Sequence, residues 1–547
     1  MGIVPLAEVI ETLYRIDGRG YKSYKKLSSI KFSISGCIAT FTKIQSDPYA
    51  PPSVLEVEVP YKIHKIKELR TPVLDFVSRI IHLASRTYSA KRGTGNSGYI
   101  GIPKLSPCII YRSSAEARGS ALVIRLYMGL PARGRRVLGR IAAKMLCEYL
   151  VGILSKINDF PNKYRAKLKK HVTVYDDYFF IRKWLRENEF VSFIANGSIL
   201  PRKTSRSDKP LPNAIPFIVD ETCSEAIELP SGKVLKGLVI KSGITVITGG
   251  GFHGKSTLLN SIIEGIYPHI PGDGREYVVT LPEAVYVKAE DGRTINDVDI
   301  SVFINNLPSQ INTQKFHTLN ASGSTSMAAS ISEAIEAGMN IILFDEDTAA
   351  TNLLYKDKFM DEIIIEEPIT PLASLCTNMK NKGISIIGIM SASSAMLPHS
   401  DTVIVMRKYR PTIIPPQKIR IDNDLYPKKH AYFRKPRTRR ICLTRKTRIK
   451  AKNDKIVIKF NNQNYDLLVD NPRIIEKGQI NYAAKIIEKL MHENICLDTT
   501  SLLQRIDDII HKGFNAVSRI VTPDLSVLHP FDVLWIINRL PIIPKPS

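Results

Sequence analysis

Ile244 to Leu259 reads ITVITGGGFHGKSTLL. Five apolar and β-branched residues come first, the composition of a buried strand. A glycine run follows, and Lys255, Ser256 and Thr257 then open a helix-forming stretch. Gly249, Gly254, Lys255 and Ser256 fit the spacing GxxxxGK[ST]. In that pattern backbone N–H groups turn inward around phosphates at the positive end of a helix. Gly249, Gly250, Gly251, Gly254, Lys255, Ser256 and Thr257 are therefore the expected nucleotide cradle. Lys255 is expected to reach the outer phosphates and Ser256 to ligate Mg²⁺. A plain glycine turn would not require the strand before it and the helix after it. The ring of His253 is expected to point away, because the backbone does the cradling.

Outward from the loop, strand-like runs recur at 284–287, 341–344, 384–389 and 402–406, separated by helix-length stretches. That rhythm predicts an α/β core with a largely parallel sheet. The run IILFDEDTAATN (341–352) ends a strand in acids. Asp345 at that place suits Mg²⁺, and Glu346 beside it suits the general base that polarises an attacking water. Helix capping is the plainer reading of such acids, but the phosphate loop in the same sheet favours catalysis. Asp347 has no assigned role. Shortly before lies NASGSTSMAASISEAIEAG (320–338), where Ser322, Gly323 and Ser324 open an amphipathic helix. Alone it reads as a Ser/Thr cap. Behind a phosphate loop and ahead of an acidic strand it reads as a second anion site.

Phosphate loop, serine-glycine helix start and acidic strand, in that order, resemble the ABC ATPase class. The likeness extends to GGGFHGKSTLL, IEGIYPHIPGDGRE, AEDGRTINDVDISVFINNLP, ASGSTSMAASISEAIEAG and DEDTAATNLLYKD. It also takes in IDGRGYKSY, DPYAPPS, GLPARGR and FIANGSILPR. Together these resemble one family, the predicted ATPases of the ABC class, over nearly the whole chain, thinning after about residue 410. The resemblance implies an ABC-type P-loop NTPase core flanked by an α+β N-terminal domain and a C-terminal α+β domain, with ATP and Mg²⁺ as ligands. It implies a homodimer in which Ser322 and Gly323 of one copy close over the nucleotide held by the other. It makes Asp345 a metal ligand, Glu346 the catalytic base, and Ala349 to Asn352 the loop after them. Two departures stand out. Transport ATPases of this class carry a glutamine after the second strand, where Glu290 or Asp291 stands here, so Glu290 is expected beside the nucleotide. They also carry a histidine after the strand 384–389, where Ser391 follows Met390. His399 reads as a loop residue. A serine cannot stabilise the γ-phosphate as a charged group, so slow turnover, or a nucleotide-gated scaffold, is an alternative. An ATPase subunit of a membrane transporter is a further alternative that lacks both key residues. Phe217 is the guess for the residue stacked on adenine.

The 547 residues correspond to roughly three domains. The expected boundaries are 1–190 for the N-terminal domain, 191–410 for the ATP-binding core and 411–547 for a basic C-terminal domain. Lys plus Arg total 77 against 52 acids, a formal charge of +25, which favours a polyanionic partner. No acid interrupts Lys428 to Lys452. Arg434, Lys435, Arg437, Arg439, Arg440, Arg445, Lys446 and Arg448, with Tyr432 and Phe433 for stacking, are the expected nucleic-acid contacts. RNA is favoured over DNA because some relatives are linked with RNA processing. Lys22, Lys25, Lys26 and the run 163–170 are further basic patches. The seven dispersed cysteines suggest neither a zinc site nor a disulfide framework and suit a reducing cytoplasm. No run is long enough to be a transmembrane segment.

Overall fold

The computed structural model describes residues 2–60, 68–204, 207–419, 431–443, 447–452, 454–460 and 463–541. They form two compact units. The first comprises residues 1–173, 476–482 and 509–527, and the second residues 174–475, 483–508 and 528–547. Residues after 410 thus contribute to both units, and the division near the N-terminal side falls at 173/174.

The first unit is built on a seven-stranded sheet. Its spine is antiparallel: Lys31–Ile34, Cys37–Lys43, Ser53–Pro60 and Ala121–Met128 pair in succession. Buried and half-buried residues alternate along Cys37–Lys43, as a sheet with one face on the core requires. Leu6–Arg15 and Thr71–Tyr88 are helices of this unit. Leu13, Phe41, Val57, Val77, Leu126 and Leu146 belong to its apolar core.

The second unit holds the predicted parallel sheet. Its strand order is Ala284–Tyr286, Ile341–Asp345, Ser385–Ile389, Ile244–Thr248, Thr402–Arg407 and Arg410–Ile414. The first five run parallel, and the last returns as a hairpin partner. All five residues of Ile341–Asp345 are buried, as expected for a strand covered on both faces. Gly388 on the neighbouring strand lies under the Phe344 ring, where a Cβ would come within 2.4 Å of the ring edge. A second, four-stranded antiparallel sheet of Phe190–Ala195, Val234–Lys241, Glu225–Glu228 and Val278–Thr280 belongs to the same unit. Leu258, Leu259 and Ile262 of the helix after the phosphate loop pack in one cluster with Ile194 and Leu238 from that sheet and with Leu343, Ile387 and Ile404 from the parallel one. The helix that follows the loop is thereby packed between two sheets.

Buried arginines tie C-terminal residues to this unit. Arg473 and Asp532 are fully buried and paired at 2.7 Å, and the same guanidinium donates to the carbonyls of Pro282 and Ala284. One expectation is overturned. Cys442 and Cys496 face each other on the antiparallel pair Arg440–Cys442 and Cys496–Asp498, and they are joined as a disulfide. Dispersion along the sequence hid them because the sheet register, over a separation of 54 residues, brings them together. Among the described residues no helix is long and apolar enough to cross a membrane.

Candidate nucleotide site

The helix Lys255–Glu264 begins directly after the glycine loop. Gly249 and Gly254 have φ of 133° and 95°, conformations that favour glycine and that let the intervening amides turn inward. Lys255 Nζ donates to the carbonyls of Gly249 and Gly250, each at 2.8 Å, folding back over the loop. His253 lies against the Met406 carbonyl at 3.3 Å. Phe252, at the crest of the loop, is 98% exposed and takes φ 61°. A left-handed conformation at a bulky residue costs about 1 kcal/mol or more.

The acids of the third strand reach this loop. Ser256 Oγ donates to Asp345 Oδ2 at 2.8 Å, bringing together a hydroxyl and a carboxylate that are 89 positions apart. These are hard oxygen donors beside the phosphate cradle, and they fit Mg²⁺. Ser256 and Asp345 are the residues that would hold it. Asp345 also accepts from the amide of Asp347, which caps the short turn after the strand. Glu346 is buried, and its Oε2 accepts from the amides of Ser391 at 2.6 Å and Ala392 at 2.9 Å. The position lacking a histidine thus contributes its backbone to the acid.

The serine-glycine element starts the helix Gly323–Glu336, with Ser322 exposed as its cap residue. Ser322 and Thr325 hydroxyls lie 2.9 Å apart, and Ser324 Oγ donates to Asn352 Oδ1 at 2.7 Å. The helix start is therefore fastened to the segment that follows Asp345 and Glu346 in the same chain.

A cavity of about 260 Å³ opens beside the phosphate loop. Leu200, Leu211, Ile215, Phe217 and Tyr409 line it, with Gly254 and Thr257 at the phosphate end. Phe217 is only 2% exposed, whereas Tyr409, at the tip of the Thr402–Ile414 hairpin, is 52% exposed. A Cβ added at Gly254 would lie 3.2 Å from the Tyr409 ring. Tyr409 offers the more accessible ring face, and nothing in its sequence neighbourhood singled it out.

Two groups of expected contacts are engaged by protein partners. Glu290 has both carboxylate oxygens engaged by Arg539, at 2.8 and 2.5 Å, and its amide donates to Ser326 Oγ at 2.8 Å. Arg539 lies 249 positions away, in the turn after the helix Pro530–Ile537, too distant to be foreseen from local pattern. This pairing holds Glu290 down at about 2 against an ordinary 4.5, even though burial pushes the other way. Burial and the nearby Arg293 lower the Arg539 pKa, but a guanidinium stays charged throughout the range of interest. The contribution of Glu290 to stability is therefore fully present above pH 4.5 and is lost as pH falls through about 2. Glu290→Gln is expected to lower stability at neutral pH by on the order of 2 kcal/mol and to flatten the acid limb below pH 4.5. Denaturant unfolding from pH 7 to 3 checks this. An unchanged acid limb would refute it.

The basic run is the second correction. Arg439 is 2% exposed and is held by Glu333, Glu336, Asn296 and Asn538. Arg437 is bound to Asp297 and the Gln314 carbonyl, and Arg434 to Asp299 and Ser301. Their acids come from elsewhere in the chain, so the run looked unneutralised in sequence. Arg439 is removed from the nucleic-acid set by burial, and Arg434 and Arg437 are committed to carboxylates. Lys435 and Arg440 are exposed. Arg445 and Lys446 lie outside the described residues, and of Arg448 only the strand position is described.

Phosphate loop, acid strand and serine-glycine helix on one parallel sheet define a P-loop nucleotide-binding domain. Residues 164–440 match the family model for the P-loop domain of the ABC ATPase, and residues 6–159 match that for the N-terminal part of ATPases of the ABC class. The chain belongs to this family of ABC-class ATPases. A protein of Methanocaldococcus jannaschii described as uncharacterized is 38% identical over 207 residues, which cover 34% of this chain and 46% of that protein. The chain thus spans under half the length of that relative. Among solved structures, cbiO1 of Clostridium perfringens, part of the ABC transporter complex cbiONQ, is 17% identical. That alignment covers 42% of this chain and 90% of the other, with a TM-score of 0.24. A metal-chelate type ABC transporter in an inward-facing conformation is 12% identical over 51% of this chain and 96% of the other, with a TM-score of 0.26.

Proposed function

We propose that this ABC-class ATPase hydrolyses ATP with Mg²⁺ in a homodimeric sandwich, inside the cell, as a clamp that opens and closes on RNA or a ribonucleoprotein. The single observation that carries hydrolysis is the convergence of Ser256 and Asp345 at 2.8 Å with Glu346 directly following. Mg²⁺, when bound, neutralises phosphate charge. The chain's own groups do the rest. The loop amides orient the phosphates, Lys255 is released from its carbonyl partners to meet them, and Glu346 accepts a proton from the attacking water.

The sandwich is supported by the exposed Ser322 at a helix start that the chain's own phosphate loop does not engage by any described hydrogen bond. Phe252, held exposed against its backbone preference, is a second surface that a closing partner would cover. RNA is supported by the charge of +25.

The nucleobase is assigned to the 260 Å³ cavity, stacked on Tyr409. Tyr409→Ala is expected to weaken binding of a fluorescent ATP analogue roughly tenfold, because an aromatic–base stack contributes about 1–3 kcal/mol. Undiminished binding would move the base elsewhere. Ser391, in place of a charged residue, favours as second reading a nucleotide-gated scaffold with negligible turnover. A phosphate-release assay, with and without RNA, separates the two. Release no greater than that of Lys255→Ala would sink the hydrolytic reading.

A further inference from the structure

In the first unit, by contrast with the C-terminal run, one cluster of six basic side chains has a single carboxylate partner among the described residues. Arg133 and Arg136 lie on the two arms of a hairpin, Ala132–Arg133 and Arg136–Val137, with Arg135 in its turn. Lys22, Lys25 and Lys26 project from the neighbouring turn Tyr21–Leu27. The two elements are fastened together. The amide of Tyr21 donates to the Arg135 carbonyl at 2.8 Å, and that of Val137 to the Arg19 carbonyl at 2.8 Å. Tyr24 Oη reaches the Pro131 carbonyl at 2.7 Å. Tyr21, Tyr24 and Leu27 are buried beneath, so all six cations face outward. Among the described residues, the one carboxylate paired with any of them is Asp47, with Arg135 at 3.1 Å. Asp47 also accepts from the amide of Tyr49, whose ring is 73% exposed. An exposed aromatic ring is thereby placed at the margin of a cationic surface.

We infer that this hairpin-and-turn surface is a docking site for single-stranded RNA. The six cations take phosphates and Tyr49 takes an unstacked base. The inference rests on the RNA reading above and moves its contacts to the N-terminal unit. The chemistry selects the partner. Phosphates alone would suit any polyanion, but a ring with an open face adds affinity only for bases that are free to stack. Arginine forks serve the same end, since a guanidinium both pairs with phosphate and stacks on a base. A rigid base beneath the cations limits the entropy lost when they are engaged.

The test uses the full-length chain and a labelled RNA of about 20 nucleotides, with affinity followed against salt concentration. Two triple variants are compared with wild type: Arg133→Gln/Arg135→Gln/Arg136→Gln and Lys22→Gln/Lys25→Gln/Lys26→Gln. Tyr49→Ala is a third variant, and Lys435→Gln/Arg440→Gln is a control. All the altered side chains are exposed, and melting curves verify folding. Each triple variant is expected to lose at least about tenfold in affinity and to lower the log–log salt slope by about 2. Tyr49→Ala is expected to lose roughly tenfold with the slope unchanged. Triple variants that bind RNA as wild type does would overturn this surface while leaving the RNA reading intact. A wild type that binds no RNA would overturn both. Tighter binding of wild type to single-stranded DNA of the same sequence, or to phosphatidylserine vesicles, would overturn the choice of RNA.

Discussion

Glu346→Gln is expected to cut steady-state phosphate release by at least about a hundredfold while ATP stays bound. The substitution is close to isosteric. Glu346 Oε2 accepts both the Ser391 and Ala392 amides, and a glutamine carbonyl oxygen can accept the same two. The site therefore keeps its shape and loses only the group that takes a proton from water. Asp345, one position earlier, keeps its bond to Ser256. Binding and hydrolysis should separate, with retention of labelled ATP rising as release falls. Release within threefold of wild type would remove Glu346 from the base role and favour the scaffold reading.

The second large effect concerns stability. Arg473→Ala is expected to destabilise the chain by about 3–5 kcal/mol, because it leaves Asp532 buried without its cation. Burial already pushes the Asp532 carboxyl up despite the guanidinium beside it. The substitution also strips the Pro282 and Ala284 carbonyls of a donor. Ala284 begins the edge strand that pairs with Ile341–Asp345, so the loosened edge adjoins the acid strand. Replacing both partners with apolar residues, Arg473→Met with Asp532→Leu, should restore most of the loss, since no charge is then left unpaired. Denaturant unfolding measures both. A single variant within about 1 kcal/mol of wild type would contradict the assigned role.

What was readable in the sequence was local. The strand–loop–helix at 244–259 and the acids at 345–346 each follow from consecutive residues, and the structure joins them through Ser256 and Asp345. The parallel sheet followed from the spacing of apolar runs. What was not readable depends on long separations. Arg539 finds Glu290, Cys442 finds Cys496, and Arg437 and Arg439 find acids more than 100 positions away. Charge counted along a segment is a poor guide when its counter-charges arrive by folding. Lys428 to Lys452 looked like a polyanion surface for that reason, whereas the shorter clusters at 22–26 and 133–136 keep theirs exposed. Tyr409 escaped notice because a turn aromatic carries no periodicity.

The central claim is that a working site takes its phosphate loop from one copy and its serine-glycine helix start from another. Mixing two inactive chains tests it most directly. Lys255→Ala removes the phosphate contact, and Ser322→Arg blocks an exposed helix start. Each alone should be inactive. In an equal mixture, a dimer of the two kinds contains one intact site, so about a quarter of wild-type phosphate release should return. A mixture no more active than its separate components would contradict the shared site.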